Sequence, residues 1–179
     1  LRHLAGWVAH WQLDEMYAGV RNKGAADAWW YDSLFTEWLV SQDLHFAILD
    51  VDIWKCFDQL PRDLVVALAI RVGLPSGVAR AYLAFHTALS VRNSLSQGFG
   101  VPYQKPCGIP QGCPFSMVFL SFVLRPWILF QRSLRNVPRT LADDTRNLVF
   151  GSLVVDVAER FRQSFLFTHS FLRDLGSAM

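Results

Sequence analysis

An α+β domain is predicted by three features of the sequence. One is a short β-branched run with carboxylates at alternate positions, HFAILDVDI from His45 to Ile53. Another is RTLADDTRNLVF from Arg139 to Phe150, where two adjacent aspartates separate two short apolar runs. The third is helical periodicity over most of the remainder. Residues 24–40 set Ala28, Tyr31, Leu34, Phe35 and Trp38 at helical spacing, which predicts a helix whose aromatic side belongs to the core. His45 to Ile53 predicts a buried strand, with Asp50 and Asp52 on one face because side chains alternate. Pro61 to Val72 predicts a helix with proline at its start and Gly73 at its end. Gly77 to Ser90 predicts another. The glycines and prolines of residues 91–111 predict a loop or hairpin. Cys113 to Phe130 predicts a buried helix, kinked or ended near Pro126. Arg139 to Phe150 predicts a hairpin with Asp143 and Asp144 at its tip. Val154 to Leu175 predicts a last helix burying Val157, Phe161, Phe165 and Phe171, with Gly176 as its C-cap.

Composition narrows the function classes. The chain has 179 residues, 52% hydrophobic and 18% charged, which argues against intrinsic disorder. With 11 glycines and 8 prolines it is neither collagenous nor a linker. A net charge of +2 does not mark a nucleic-acid binder, yet 14 of the 17 basic residues are arginines, the better fork for phosphate. Three cysteines, Cys56, Cys107 and Cys113, give an odd number without metal-ligand spacing, so reduced thiols and an intracellular setting are expected. No secretory signal pattern opens the sequence. Leu1 and the amphipathic pattern running into Met179 suggest a piece of a longer protein. The most apolar run, Phe115 to Phe130, is interrupted by Arg125-Pro126 and is short for a membrane span.

Asp52, Asp143 and Asp144 form the constellation with chemistry in it. Aspartates are seldom buried unless paired or bound to a cation. If the strand end and the turn meet, the like charges need a divalent ion, and oxygen donors select Mg²⁺ or Mn²⁺. Two such ions suit in-line phosphoryl transfer. Taken singly, an Asp-Asp pair also suits an exposed turn, and Asp58 suits a helix N-cap. Between them lies GIPQGCPFS, Gly108 to Ser116, an unusual loop before an apolar helix. Its glycines permit close backbone approach to a ligand, and Gln111 offers both donor and acceptor.

The three segments, in this order, resemble the reverse transcriptase family, its non-LTR, group II intron and retron branches above all. DIWKCFDQLPRDLV (Asp52 to Val65) is similar to motif A of that family, GIPQGCPFS to motif B, and LADD (Leu141 to Asp144) to motif C, with Leu141 where an aromatic is usual. GVRNKGAADAWW (Gly19 to Trp30) is a weaker match to the fingers, and SFLFTHSFLRDLG (Ser164 to Gly176) to the start of motif D. The resemblance implies a polymerase palm, an antiparallel sheet with helices on one face, over residues 46–179. Residues 1–45 are then a partial fingers segment, and the thumb and flanking polyprotein domains are missing. It implies that Asp52 and Asp143 bind two Mg²⁺ or Mn²⁺ ions, that Asp144 supports the second, and that the Ile53 carbonyl is a further ligand. Phe57 would exclude a 2′-OH, and Gln111 and Gly112 would line the nucleotide and template. Arg21, Lys23 and Arg139 are the candidate nucleic-acid contacts, Arg139 as part of a patch with Arg125, Arg132, Arg135 and Arg146. The implied reaction is RNA-directed DNA synthesis from an RNA template, a DNA primer and dNTP, with no membrane involved. The competing readings are an RNA-directed RNA polymerase, which Phe57 disfavours, a non-enzymatic nucleic-acid-binding remnant, and a membrane-associated protein using residues 112–130.

Overall fold

Strand β1 spans His45–Asp52, and its alternation places Asp50 and Asp52 on one face, as expected. It pairs antiparallel with β5 (Asp144–Gly151), which pairs in turn with β4 (Val137–Leu141). The computed structural model, which describes residues 2–110 and 112–176, thus centres on a three-stranded antiparallel sheet in the order β1-β5-β4. The chain is α+β, with α1 (Ala5–Trp11), α2 (Ala25–Ser41), the single turn α3 (Cys56–Gln59), α4 (Arg62–Arg71), α5 (Ser76–Ala88), α6 (Ser116–Ser133) and α7 (Val154–Asp174). A two-stranded ribbon, β2 (Ser94–Leu95) with β3 (Gly98–Phe99), occupies the expected loop-or-hairpin segment.

Helices α6 and α7 cover one face of the sheet, and α2 crosses the other, where Phe35 meets Phe150 edge to face at 5.5 Å. Helix α6 continues past Pro126 to Ser133, so the end expected there as one alternative to a kink does not occur. Pro126 is exposed, while Phe122, Val123, Leu124, Trp127 and Ile128 around it are buried. Core packing on both sides outweighs the ~3 kcal/mol that an interior proline costs. The buried side chains of α6 face protein, not lipid, and no helix among the described residues is long and apolar enough to cross a membrane.

Two further expectations are corrected. On α2 only Ala28 and Leu39 are buried, while Trp29, Trp30 and Trp38 are 61%, 58% and 46% exposed. A narrow sheet buries one stripe of a helix, so aromatics elsewhere on the cylinder stay outside it. On α7 the buried residues are Val157, Ser164, Thr168 and Leu172, and Phe165 is exposed. The stripe is polar because it closes a hydrogen-bond network: Asn147 donates to Ser164 (2.7 Å) and to Gln131 (3.0 Å), Asn136 donates to Gln131 (3.1 Å), and Trp127 donates to Thr168 (2.8 Å).

The N-terminal segment joins the same core. Leu4, Val8, Trp11 and Met16 pack with Val66, Phe119 and Leu124, and Met16 bridges to Thr140 beside β4. Residues on both sides of the expected 45/46 division therefore share one hydrophobic interior.

On α5, His86 is buried against Tyr82, with ring centroids 4.3 Å apart, and neither ring nitrogen has a hydrogen-bond partner among the described residues. Burial, and then the charge of Arg62, hold its pKa below the ordinary 6.5. The folded state resists the proton, so the stability it contributes is complete above the unfolded pKa and is lost as pH falls below about 6.5. The expected result is a Tm that drops between pH 7 and pH 5, and a flatter profile in His86→Phe. Equal profiles would show that another group governs acid sensitivity.

Candidate active site

The carboxylates are assembled by strand register. Asp52, the last residue of β1, is the direct partner of Asp144, the first residue of β5. Facing residues of an antiparallel pair have Cα atoms roughly 4.5–5.5 Å apart, so two side chains far apart in the chain become neighbours. The next pair closes the junction: the Ile53 N–H donates to the Asp143 carbonyl at 3.3 Å. The β4–β5 turn is a two-residue loop, Ala142-Asp143, because Leu141 already pairs with Asp144. The tip is thus one residue earlier than expected, and Asp144 lies on the strand. Ala142 takes φ +55°, the left-handed start that such tight hairpins demand.

The electrostatics follow from this placement. Asp52 and Asp144 are exposed and Asp143 is half-buried. The Asp144 carboxyl is raised above its usual range by partial burial and then by the charges of Asp143, Asp52 and Asp50. Behind them Cys56 is buried, and its thiol is pushed up to about 12, by burial first and then by Asp143 and Asp52. Asp143 and Asp52 both lie near enough to Cys56 to act on its thiol, in keeping with the register. The donor set is all oxygen and uniformly negative, which fits Mg²⁺ or Mn²⁺. Among the described residues, however, no group of three or more His, Cys, Asp or Glu side chains is placed to hold a metal ion. The fit is one of facing carboxylates and not of a closed ligand shell.

The segment after β1 locks onto the GIPQG loop. Gly108 N–H donates to the Leu60 carbonyl (2.9 Å) and Ile109 N–H to the Phe57 carbonyl (2.6 Å). Gly108 adopts φ +83°, and a Cβ there would lie 2.5 Å from the Asp58 carbonyl oxygen. Asp58 itself pairs with Lys105 at 2.6 Å, while Pro61 opens α4. Phe57 is half-buried against the core. Ile53 is buried, and its carbonyl accepts from Cys56 N–H at 3.1 Å, which leaves one lone pair for a further partner. Gly112 is exposed with φ +85°, and Gln111 lies outside the described residues.

The basic candidates are placed differently. Arg139 is 5% exposed, pairs with Asp32 of α2 and lies 3.7 Å above the Tyr31 ring, so its charge is engaged within the chain at the wall of a cleft. Arg146 forms a two-pronged pair with Asp50 (2.6 and 2.8 Å), Arg132 pairs with Glu15, and Arg125 donates to the Trp11 carbonyl at 2.9 Å. The expected basic patch is thus largely engaged within the chain. Lys23 ties down its own loop through the Asp14 carbonyl at 2.5 Å, and Arg21 is exposed.

Between α2 and the acidic sheet end lies an open cleft of about 520 Å³, whose walls include Ala28, Trp29, Asp32, Asp52, Asp144 and Arg146. Its helical wall was not foreseen from the sequence. The signal is the spacing of Ala25, Ala28, Trp29 and Asp32, one helical stripe ending in a carboxylate. No protein-family model matches the chain, and no curated protein matches it significantly.

Proposed function

We propose that this chain is the palm, with part of the fingers, of an RNA-directed DNA polymerase. It adds dNTP to a DNA primer 3′-OH against an RNA template. The observation that carries the reading is the register of β1 on β5, which brings Asp52 level with Asp144 and next to Asp143. Acids from the segments similar to motifs A and C meet there, and the loop similar to motif B is bonded to the segment that follows motif A. Asp52 and Asp143 would hold the divalent ions, with Asp144 and the Ile53 carbonyl in support. Bound there, such ions supply charge neutralisation for the attacking and leaving oxygens. The chain's own part is to present carboxylates on a rigid sheet end and to keep Phe57 beside the sugar. Template sequence is read by base pairing, so the protein needs shape and not base contacts.

The test is Mg²⁺-dependent extension of a DNA primer on an RNA template. The wild type should extend with dNTP in preference to rNTP, and Asp143→Ala should lower the rate about 10³-fold. Extension by Asp143→Ala at the wild-type rate would remove the assignment. Preference for rNTP would move it to RNA synthesis.

A further inference from the structure

We infer that Trp29 is a stacking platform for a nucleobase at the mouth of the acidic cleft, an inference that rests on the polymerase reading above. Ala25, Ala28, Trp29 and Asp32 form one stripe of α2 that faces the sheet end carrying Asp52 and Asp144. The stripe is built, not incidental. Asp32 fixes the helix to the sheet through Arg139 and, at 3.5 Å, through Arg146. Ala25 and Ala28 are small and leave the cleft open opposite the acids. Trp29 walls the same cleft while 61% exposed, and its indole is braced edge-on by Trp30 at 5.1 Å. A braced, open ring suits base stacking, which tolerates any base because every base has a π-face.

Charge supports a ring contact over a phosphate contact here. The sequence from Gly24 to Trp54 contains no lysine or arginine, so this wall has no cation of its own for a phosphate. The two arginines that line the rest of the cleft are already engaged, Arg139 by Asp32 and Arg146 by Asp50 and Asp32. The base belongs either to the nucleic-acid strand or to the incoming nucleotide, and the two sources are separable by measurement.

The experiment compares wild type, Trp29→Ala, Trp29→Phe and Trp38→Ala. Trp38 is exposed on the same helix and does not line the cleft. Fluorescence anisotropy of a fluorescein-labelled RNA–DNA primer-template in Ca²⁺ gives strand affinity, and primer extension in Mg²⁺ gives KM for dNTP. Trp29→Ala should weaken one of these about tenfold or more, with Trp29→Phe close to wild type and Trp38→Ala unchanged. A change in anisotropy assigns the base to the strand, and a change in KM assigns it to the nucleotide. Either supports the inference. Unaltered binding and KM in Trp29→Ala, in a wild type that extends primer, would overturn it and leave the polymerase reading standing. Equal losses in Trp38→Ala would also overturn it. A wild type that neither binds nor extends would defeat the polymerase reading itself, and this inference with it.

Discussion

Gly108→Ala is expected to destabilise the fold by about 4 kcal/mol, from two sources. Its φ of +83° is a conformation in which a side chain costs ~1–3 kcal/mol. The added Cβ would also meet the Asp58 backbone at 2.5–2.8 Å, and backbone cannot swing aside as a flexible side chain can. The strain falls on the two hydrogen bonds that hold the GIPQG loop to Leu60 and Phe57. Gly112→Ala is the internal control. Its φ is nearly the same, +85°, but no atom of the described residues beyond its chain neighbours lies within 4 Å of the new Cβ, so it should cost only about 1 kcal/mol. Urea denaturation of the pair measures both. Equal losses would mean that close approach at Gly108 contributes nothing.

Gln131→Leu should cost about 3 kcal/mol, although leucine is close to glutamine in volume. Gln131 is fully buried on α6, and its Oε1 accepts from the amides of both Asn136 and Asn147. Removing it strands two buried donors, Asn147 only in part because it also donates to Ser164 at 2.7 Å. Gln131→Leu combined with Asn147→Leu should lose less than the sum of the single changes, since an apolar pair leaves fewer orphaned groups. A double-mutant cycle by chemical denaturation reads this directly. Strict additivity would show that the network does not act as a unit.

The parts of the molecule that follow from local rules were legible in the sequence. Strand β1, the hairpin behind Asp143-Asp144 and the limits of α2, α4, α5 and α7 lie within a few residues of the expected positions, because alternation, proline and glycine act over short range. Hydrophobic periodicity misjudged α7, since Ser164 and Thr168 are buried by hydrogen bonding, which no hydropathy pattern reports. It misjudged the α2 tryptophans because the narrow sheet buries a single stripe of that helix, and of the three only Trp29 walls the cleft. Met16 joins the sheet through a bridge to Thr140, a contact with no local signature. The arginines illustrate the same limit: position along the chain put Arg139 in a patch for nucleic acid, and the packing of α2 on the sheet pairs it with Asp32. For the candidate site, residue types marked the acids, while only strand pairing made Asp52 and Asp144 neighbours.

The central claim is that Asp52 and Asp143 act together on a bound cation, and Mn²⁺ titration followed by electron paramagnetic resonance tests it most directly. The wild type should quench the free Mn²⁺ signal saturably. Asp52→Asn and Asp143→Asn should each weaken binding at least about tenfold, with the double variant little worse than either single one, as expected of ligands to a shared ion. Binding that survives both substitutions unchanged would contradict the account.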